Sequence, residues 1–368
     1  MRLLSFLLSS VIFASAHLRA CSVPVFRYAL EHWPADHFEA VVYHRGALSE
    51  TQQAAVRDLG AEGLAGALHA NVSVQTVDLT ANPDAGLLAL APSEIEGPFP
   101  WVVVKVPRTV KSGATVWSGP LTTDSVAQIL DSPSRKEIVE RLAQGGSAVW
   151  VLLESGDAAQ DSAAAKLLDE QLTELKKTLT LPRLDTSDIA KGLVSVAQED
   201  LRLDFSVLRV ARDDVAEQPF VQMLLGTERD LKDAKDPIVI PIFGRGRALY
   251  AFVGAGLTAD AIAQAARFLI GKCSCEAKEL NPGADLLIAA DWDELLKAYT
   301  VGLPNRPTLA ELTPSAPQTV TFDGTKPTIA SGPKVARSSG ARAFWVIVTL
   351  IGAGLSAVSL PFLIGRRR

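Results

Sequence analysis

Apolar positions along the first three hundred residues follow two rhythms, and the order of those rhythms repeats. Residues 38–44 (Phe-Glu-Ala-Val-Val-Tyr-His) predict a strand, and 49–59 predict a helix with Ser49 as N-cap and Gly60 as stop. Residues 72–77 alternate apolar and polar, as a half-buried strand does. Residues 100–106 and 115–117 predict a hairpin turning through Lys111-Ser112-Gly113. Helices follow at 123–130, capped by Thr123-Asp124, and at 134–142. The pattern then restarts. Residues 148–153 are an unbroken apolar run suited to a central strand, 163–179 are strongly helical, 205–210 predict a strand and 219–225 a short helix. Residues 237–243 and 248–253 predict a second hairpin over Gly244-Arg245-Gly246-Arg247. A helix capped by Thr258 runs to 270, and one more strand is expected at 284–289. Near the start, Arg27 to Trp33 predicts a short amphipathic helix that buries Tyr28 or Trp33 against the first domain or offers them to a partner.

The two ends carry a different pattern. Residues 343–364 hold no charge, and a helix of about 22 residues at ~1.5 Å each spans the ~30 Å hydrocarbon core of a bilayer. Arg366, Arg367 and Arg368 follow and assign the C-terminus to the cytoplasm. At the other end, Met1-Arg2, an apolar run over residues 3–14 and Ala14-Ser15-Ala16 form a secretory signal. An uncleaved anchor competes with that reading. So does a lipoprotein signal, because Leu18-Arg19-Ala20 precedes Cys21, although Arg19 stands where a small or uncharged residue is usual. Between these ends, Pro304, Pro307, Pro314, Pro317, Pro327 and Pro333 are spread among Thr, Ser, Ala and Gly, which predicts an extended linker.

Charge narrows the partners. The chain has 36 Lys and Arg against 41 Asp and Glu; setting aside Arg2, Arg342 and the three terminal arginines leaves 31 against 41, about −10 for the part outside the membrane. An acidic surface without a basic patch argues against nucleic acid. Gly244-Arg245-Gly246-Arg247 and Val253-Gly254-Ala255-Gly256 fit neither a dinucleotide fingerprint nor a P-loop, so no nucleotide is expected. Hydrolase, metalloprotease and kinase motifs are also missing.

Each half thus runs β, α, β, a connection, a β-hairpin and α. A proline leads the strand into each hairpin, in Phe99-Pro100-Trp101 and Asp236-Pro237-Ile238. In that order, residues 38 to 270 resemble the thioredoxin fold; two unrelated α/β sandwiches are the competing reading. The resemblance implies a cis-proline before the third strand and a closing helix packed on the sheet. It also locates the family's Cys-x-x-Cys at the start of the helix after the first strand, where the helix N-terminus lowers a thiol's pKa. The matching places hold Arg45-Gly46-Ala47-Leu48-Ser49 and Gly156-Asp157-Ala158-Ala159-Gln160, with no cysteine. Modules of this kind without the dithiol act as spacers or binding platforms, and the resemblance implies that role here.

The candidate site residues are therefore the three cysteines, Cys21, Cys273 and Cys275. A structural bridge from Cys21 to one of the pair closes a very long loop, worth ~4–5 kcal/mol in the chain-entropy model. A Cys273–Cys275 disulfide is strained and oxidising, suited to thiol exchange. Three thiolates around Cu(I) or zinc are the third reading. The five histidines, His17, His32, His37, His44 and His69, lie in the first seventy residues; chelation requires them to converge with Asp36 or Glu39, and their spacing matches no metal motif.

The expected organisation is a signal peptide (1–20), two consecutive thioredoxin-like α/β modules (21–145 and 146–298, the second with the Cys-x-Cys), a Pro-rich linker (299–341) and a single transmembrane anchor with an arginine tail (342–368). The expected role is a membrane-anchored binding or scaffold protein of a bacterial-type cell envelope, without a cofactor, whose partner is another envelope protein. The alternative is a thiol-disulfide or soft-metal handling factor using Cys273 and Cys275, with or without Cys21.

Overall fold

The computed structural model describes residues 21–60, 69–81, 83–91, 95, 97–272 and 278–301. They belong to one compact unit. It is a mixed α/β structure with two sheets. Among the described residues no helix is long and apolar enough to cross a membrane; the segment 343–364 and the linker after Val301 lie outside them.

The chain enters through α1 (Val25–His32) and then builds β1 (Phe38–His44), α2 (Glu50–Leu59), β2 (Val72–Asp78) and the single turn α3 (Ala85–Leu88). The hairpin β3 (Trp101–Lys105) and β4 (Thr115–Pro120) follows, then α4 (Thr123–Leu130) and α5 (Pro133–Ala143). The second run is β5 (Ala148–Leu153), α6 (Ala158–Thr178), α7 (Thr186–Ala190), β6 (Phe205–Val210), α8 (Gln218–Gly226), β7 (Ile238–Phe243), β8 (Arg247–Ala248), β9 (Phe252–Val253), α9 (Ala259–Ile270), β10 (Ala284–Asp285) and α10 (Trp292–Val301).

The first sheet has the order β2-β1-β3-β4, with β1 and β2 parallel and both other pairings antiparallel. The second repeats that arrangement as β6-β5-β7-β8: β5 and β6 are parallel, and β7 runs antiparallel to β5 and β8. Strand β10 then extends its edge beside β8. The Phe99–Pro100 bond that leads into β3 is cis, and it is the only cis peptide among the described residues, so Asp236–Pro237 leads into β7 in trans.

Alternating side chains assign the layers. Val149, Val151 and Leu153 of β5 face the same apolar core as Ala40 and Val42 of β1 and Val102 and Val104 of β3. The intervening residues Ala148, Trp150 and Leu152 face a second core made with α6, α9 and α1. Tyr43, Val41 and Val103 face a third, smaller one. The central core therefore belongs to both sheets at once.

Three expectations need correction. The amphipathic helix exists as α1, but it packs on α9 and β7 of the second half rather than burying Tyr28 and Trp33 against the first. Gly244 permits this: it sits at φ +59°, and a Cβ there would lie 2.8 Å from the Ala29 Cβ. The strand expected over 248–253 is two short pieces, β8 and β9. Their registers on β7 differ by one residue, Ile242 opposite Ala248 but Val239 opposite Phe252, so the edge bulges between them. There the Ala251 N–H turns away and donates to Glu228 Oε1 at 2.8 Å. The strand expected over 284–289 is a ladder only at β10. The chain then leaves the second sheet for the first: Leu286 N donates to Gly246 O, Ile288 N to Asn71 Oδ1, and Ala289 bridges Ala70.

Candidate functional site

At the helix starts where the family resemblance would locate a dithiol, other groups already satisfy the exposed N–H donors. Ser49 forms a capping box with Gln52: its Oγ accepts the Gln52 N–H at 3.3 Å, and Gln52 Oε1 accepts the Ser49 N–H at 2.9 Å. At α6, Asp157 accepts from Gln160 N, Gln160 Nε2 and Ala159 N, and these hydrogen bonds hold its carboxyl below the usual carboxylate range. Buried Asp161 accepts from Ser155 N, Ser155 Oγ and Gly156 N at 2.7–3.0 Å. A thiolate stabilised by either helix start would take a place that a hydroxyl or a carboxylate now fills.

Of the three cysteines, Cys21 is buried in the core beneath α9, with its sulfur 4.0 Å from Val23 O; Cys273 and Cys275 lie outside the described residues. The segment around Cys21 is pinned on both sides. Ser22 donates through N and Oγ to Asp188 Oδ2 at 2.7 and 2.8 Å, and its Oγ accepts from Asp185 N. Pro24 forms an antiparallel bridge with Lys272, and Val25 N donates to Gly271 O at 3.0 Å. Lys272 is bonded directly to Cys273. The structure thus brings the chain next to Cys273 to the corner where Cys21 is buried.

Helix α1 is stitched to the same half. Arg27 and Glu31 form a buried ion pair; Arg27 also donates to Ser195 Oγ, and Glu31 Oε2 accepts from Ser195 N. Of the histidines, His17 lies outside the described residues, His37 and His69 line one cavity, and His32 and His44 stand elsewhere. His32 contacts Leu193 O, His44 contacts Gly46 O, His69 stands 3.5 Å from Asp291, and His37 is exposed. Asp36 is bound by Lys278 and Thr109, and Glu39 by Arg108. Among the described residues no group of three or more His, Cys, Asp or Glu is placed to hold a metal ion.

Sequence reasoning passed over two features. One is a buried ion cluster of Asp36, Arg247, Lys278 and Asp285. The other is a cavity of about 550 Å³ between α5 and α10, floored by Leu130, Val139, Ile288 and Leu295. Beneath it Arg135, only 2% exposed, donates to Gln128 O, Ile129 O and Leu287 O and so caps the carbonyl end of α4. Burial pulls this guanidinium down to about 10, against the charges of Asp131 and Glu217. Both features draw on the 278–301 segment, whose partners are tens to hundreds of residues away in the chain. Only the charged residues inside an apolar stretch, Asp285 among them, hinted at either.

Comparison of the chain with protein-family models, with curated proteins and with solved structures finds no match.

Proposed function

We propose that this chain is a single-pass, membrane-anchored binding or scaffold protein of a bacterial-type envelope. In this reading two thioredoxin-like modules, 21–145 and 146–298, face away from the cytoplasm on the 299–341 linker, and residues 342–368 anchor it with the C-terminus inside. The thioredoxin-like reading is supported by the strand order, repeated with the same directions in both sheets. The observation that carries a non-enzymatic role is the occupancy of both helix starts by Ser49 and Asp157, where dithiol chemistry needs cysteine. The purified full chain is expected to show no turnover of insulin disulfides with a thiol reductant beyond the uncatalysed rate. Turnover approaching that of a dithiol oxidoreductase sinks this reading in favour of a thiol-disulfide factor using Cys273 and Cys275.

For the cysteines, the reading is a structural bridge from Cys21 to one of the pair, supported by the Pro24–Lys272 pairing beside them. Alkylation before reduction, followed by peptide mapping, is expected to find the Cys21 peptide linked to the 273–275 peptide and one thiol alkylated. Three alkylated thiols, a Cys273–Cys275 disulfide, a bound soft metal or a lipid mass on Cys21 each contradict it.

A further inference from the structure

The cavity between α5 and α10 is open along both helices and lies within the ~300–1,000 Å³ range of ligand sites. Its floor is aliphatic. Its charged lining is four carboxylates, Asp131, Glu140, Asp291 and Glu294, against two cations, Arg135 and Lys136. Arg135 is spent on the α4 carbonyls, while exposed Lys136 pairs with Asp131 at 2.6 Å and offsets that one acid. Three acids remain. Among the described residues, exposed Glu140 accepts from Gln144, Asp291 faces His69, and Glu294 pairs with Lys297 where both are two-thirds exposed. An exposed pair of that kind holds its partner weakly. Tyr299 stands 38% exposed at the edge of the floor.

From this charge pattern we infer that the cleft docks a peptide segment of a partner protein, one carrying aliphatic side chains on one face and lysine or arginine beside them. Aliphatic groups at i, i+3 and i+4 fill the floor, as in other helix-in-groove recognition. The flanking cations meet Glu140, Asp291 and Glu294. The inference rests on the binding role proposed above and names the chemistry of the partner.

The test uses the full chain in zwitterionic phosphatidylcholine nanodiscs, with empty discs as the blank. The probe is a fluorescein-labelled helical peptide of about ten residues with a Leu face and Lys flanks, matched to the ~15 Å length of α10. Saturable anisotropy is expected, weakening several-fold as salt rises. It should be lost with a Leu→Ser peptide and weakened about tenfold (~1.4 kcal/mol) by Glu140→Lys with Glu294→Lys, two exposed changes that leave the core intact. Ala298→Asp, also exposed, should remove binding without altering the circular dichroism spectrum. Equal binding by wild type and variants overturns the proposal. So does an absence of saturable binding, or binding that emerges only after Leu303→Ser with Leu309→Ser, which would mean the chain's own continuation fills the cleft. Failure here with insulin disulfides still untouched rejects this site while leaving the non-enzymatic reading standing.

Discussion

A fragment ending at residue 145 is expected to be unfolded, and the intact chain to unfold in one cooperative step, because the two sheets share a core. The helix α8 of the second half lies on β4 of the first so closely that a Cβ added to Gly226 would meet Ala114 Cβ at 3.1 Å and Val106 Cγ1 at 3.2 Å. Ser112 Oγ donates to Gly226 O, and Arg229 donates to Lys111 O at 2.8 Å. Val42, Val102, Val104, Val106, Val116 and Leu121 sit in one cluster with Phe220, Leu224 and Ile240. At ~1.5–3 kcal/mol per fully buried aliphatic side chain, losing half the burial of those six first-half residues costs roughly 5–9 kcal/mol. That is comparable to the whole stability of a typical domain, ~5–15 kcal/mol. Far-UV circular dichroism and amide proton dispersion on residues 21–145 test this; a folded fragment with its own sharp transition contradicts it. A repeat in the sequence is a repeat of pattern, and the shared core predicts that it does not coincide with a unit of folding.

The fold was legible wherever local pattern and packing agree. Strands β1, β5 and β6 start and stop where their apolar runs do, and Thr258 caps α9 as its position before the periodic run implies. Helix α6 starts five residues ahead of the apolar periodicity, because Asp157 caps a first turn of small and polar residues that carries no periodic signal. The broken edge of the second sheet was not legible. Leu249, Tyr250 and Ala251 look like strand residues, and the Glu228 side chain that draws Ala251 out of the ladder lies 23 residues upstream. The crossing of 284–290 from one sheet to the other was hidden for the same reason: Asn71, which accepts from Ile288 N and donates to Leu286 O, is over two hundred residues away. Of the site, the lack of cysteine at both helix starts was readable from where the three cysteines stand in the sequence. The cleft was not, since the sequence reading placed a helix at 134–142 but none over the residues of α10, whose last three it assigned to the linker.

Replacing Asp285 by Asn is expected to destabilise the protein by about 3–5 kcal/mol, the usual cost of stripping one partner from a buried ion pair. Asp285 is 5% exposed and serves three donors: Arg247 Nη1 at 3.1 Å, Asp36 N at 2.7 Å and Lys278 Nζ. Lys278 also donates to Pro34 O and Asp36 Oδ1, both at 2.7 Å, and Arg247 to Asn281 O and Pro282 O. Two cations balance two anions, so the Asn variant leaves a net positive charge on a group of which Arg247 and Lys278 are buried and Asp36 is partly open to solvent. The backbone closes tightly around the group: Gly283 holds φ +116°, and a Cβ there would lie 2.3 Å from Ala248 O. Urea unfolding near neutral pH measures the loss, and a change below about 1 kcal/mol would mean that solvent reaches the cluster. Acid supplies a second reading. Burial pushes the Asp36 carboxyl up, but hydrogen bonds from Lys278 and Thr109 and the charges of Lys278 and Arg247 outweigh it, so its pKa lies below the ordinary value. A depressed carboxylate contributes stability above the unfolded-state value of ~3.9 and loses it as pH falls through the folded-state value. The advantage of wild type over Lys278→Met should therefore shrink below about pH 4. The consequence extends to the cleft, because Asp285 anchors the segment that three residues later, from Ile288 to Asp291, forms the cavity wall and leads into α10. If peptide docks there, Asp285→Asn should weaken it without touching a single lining side chain.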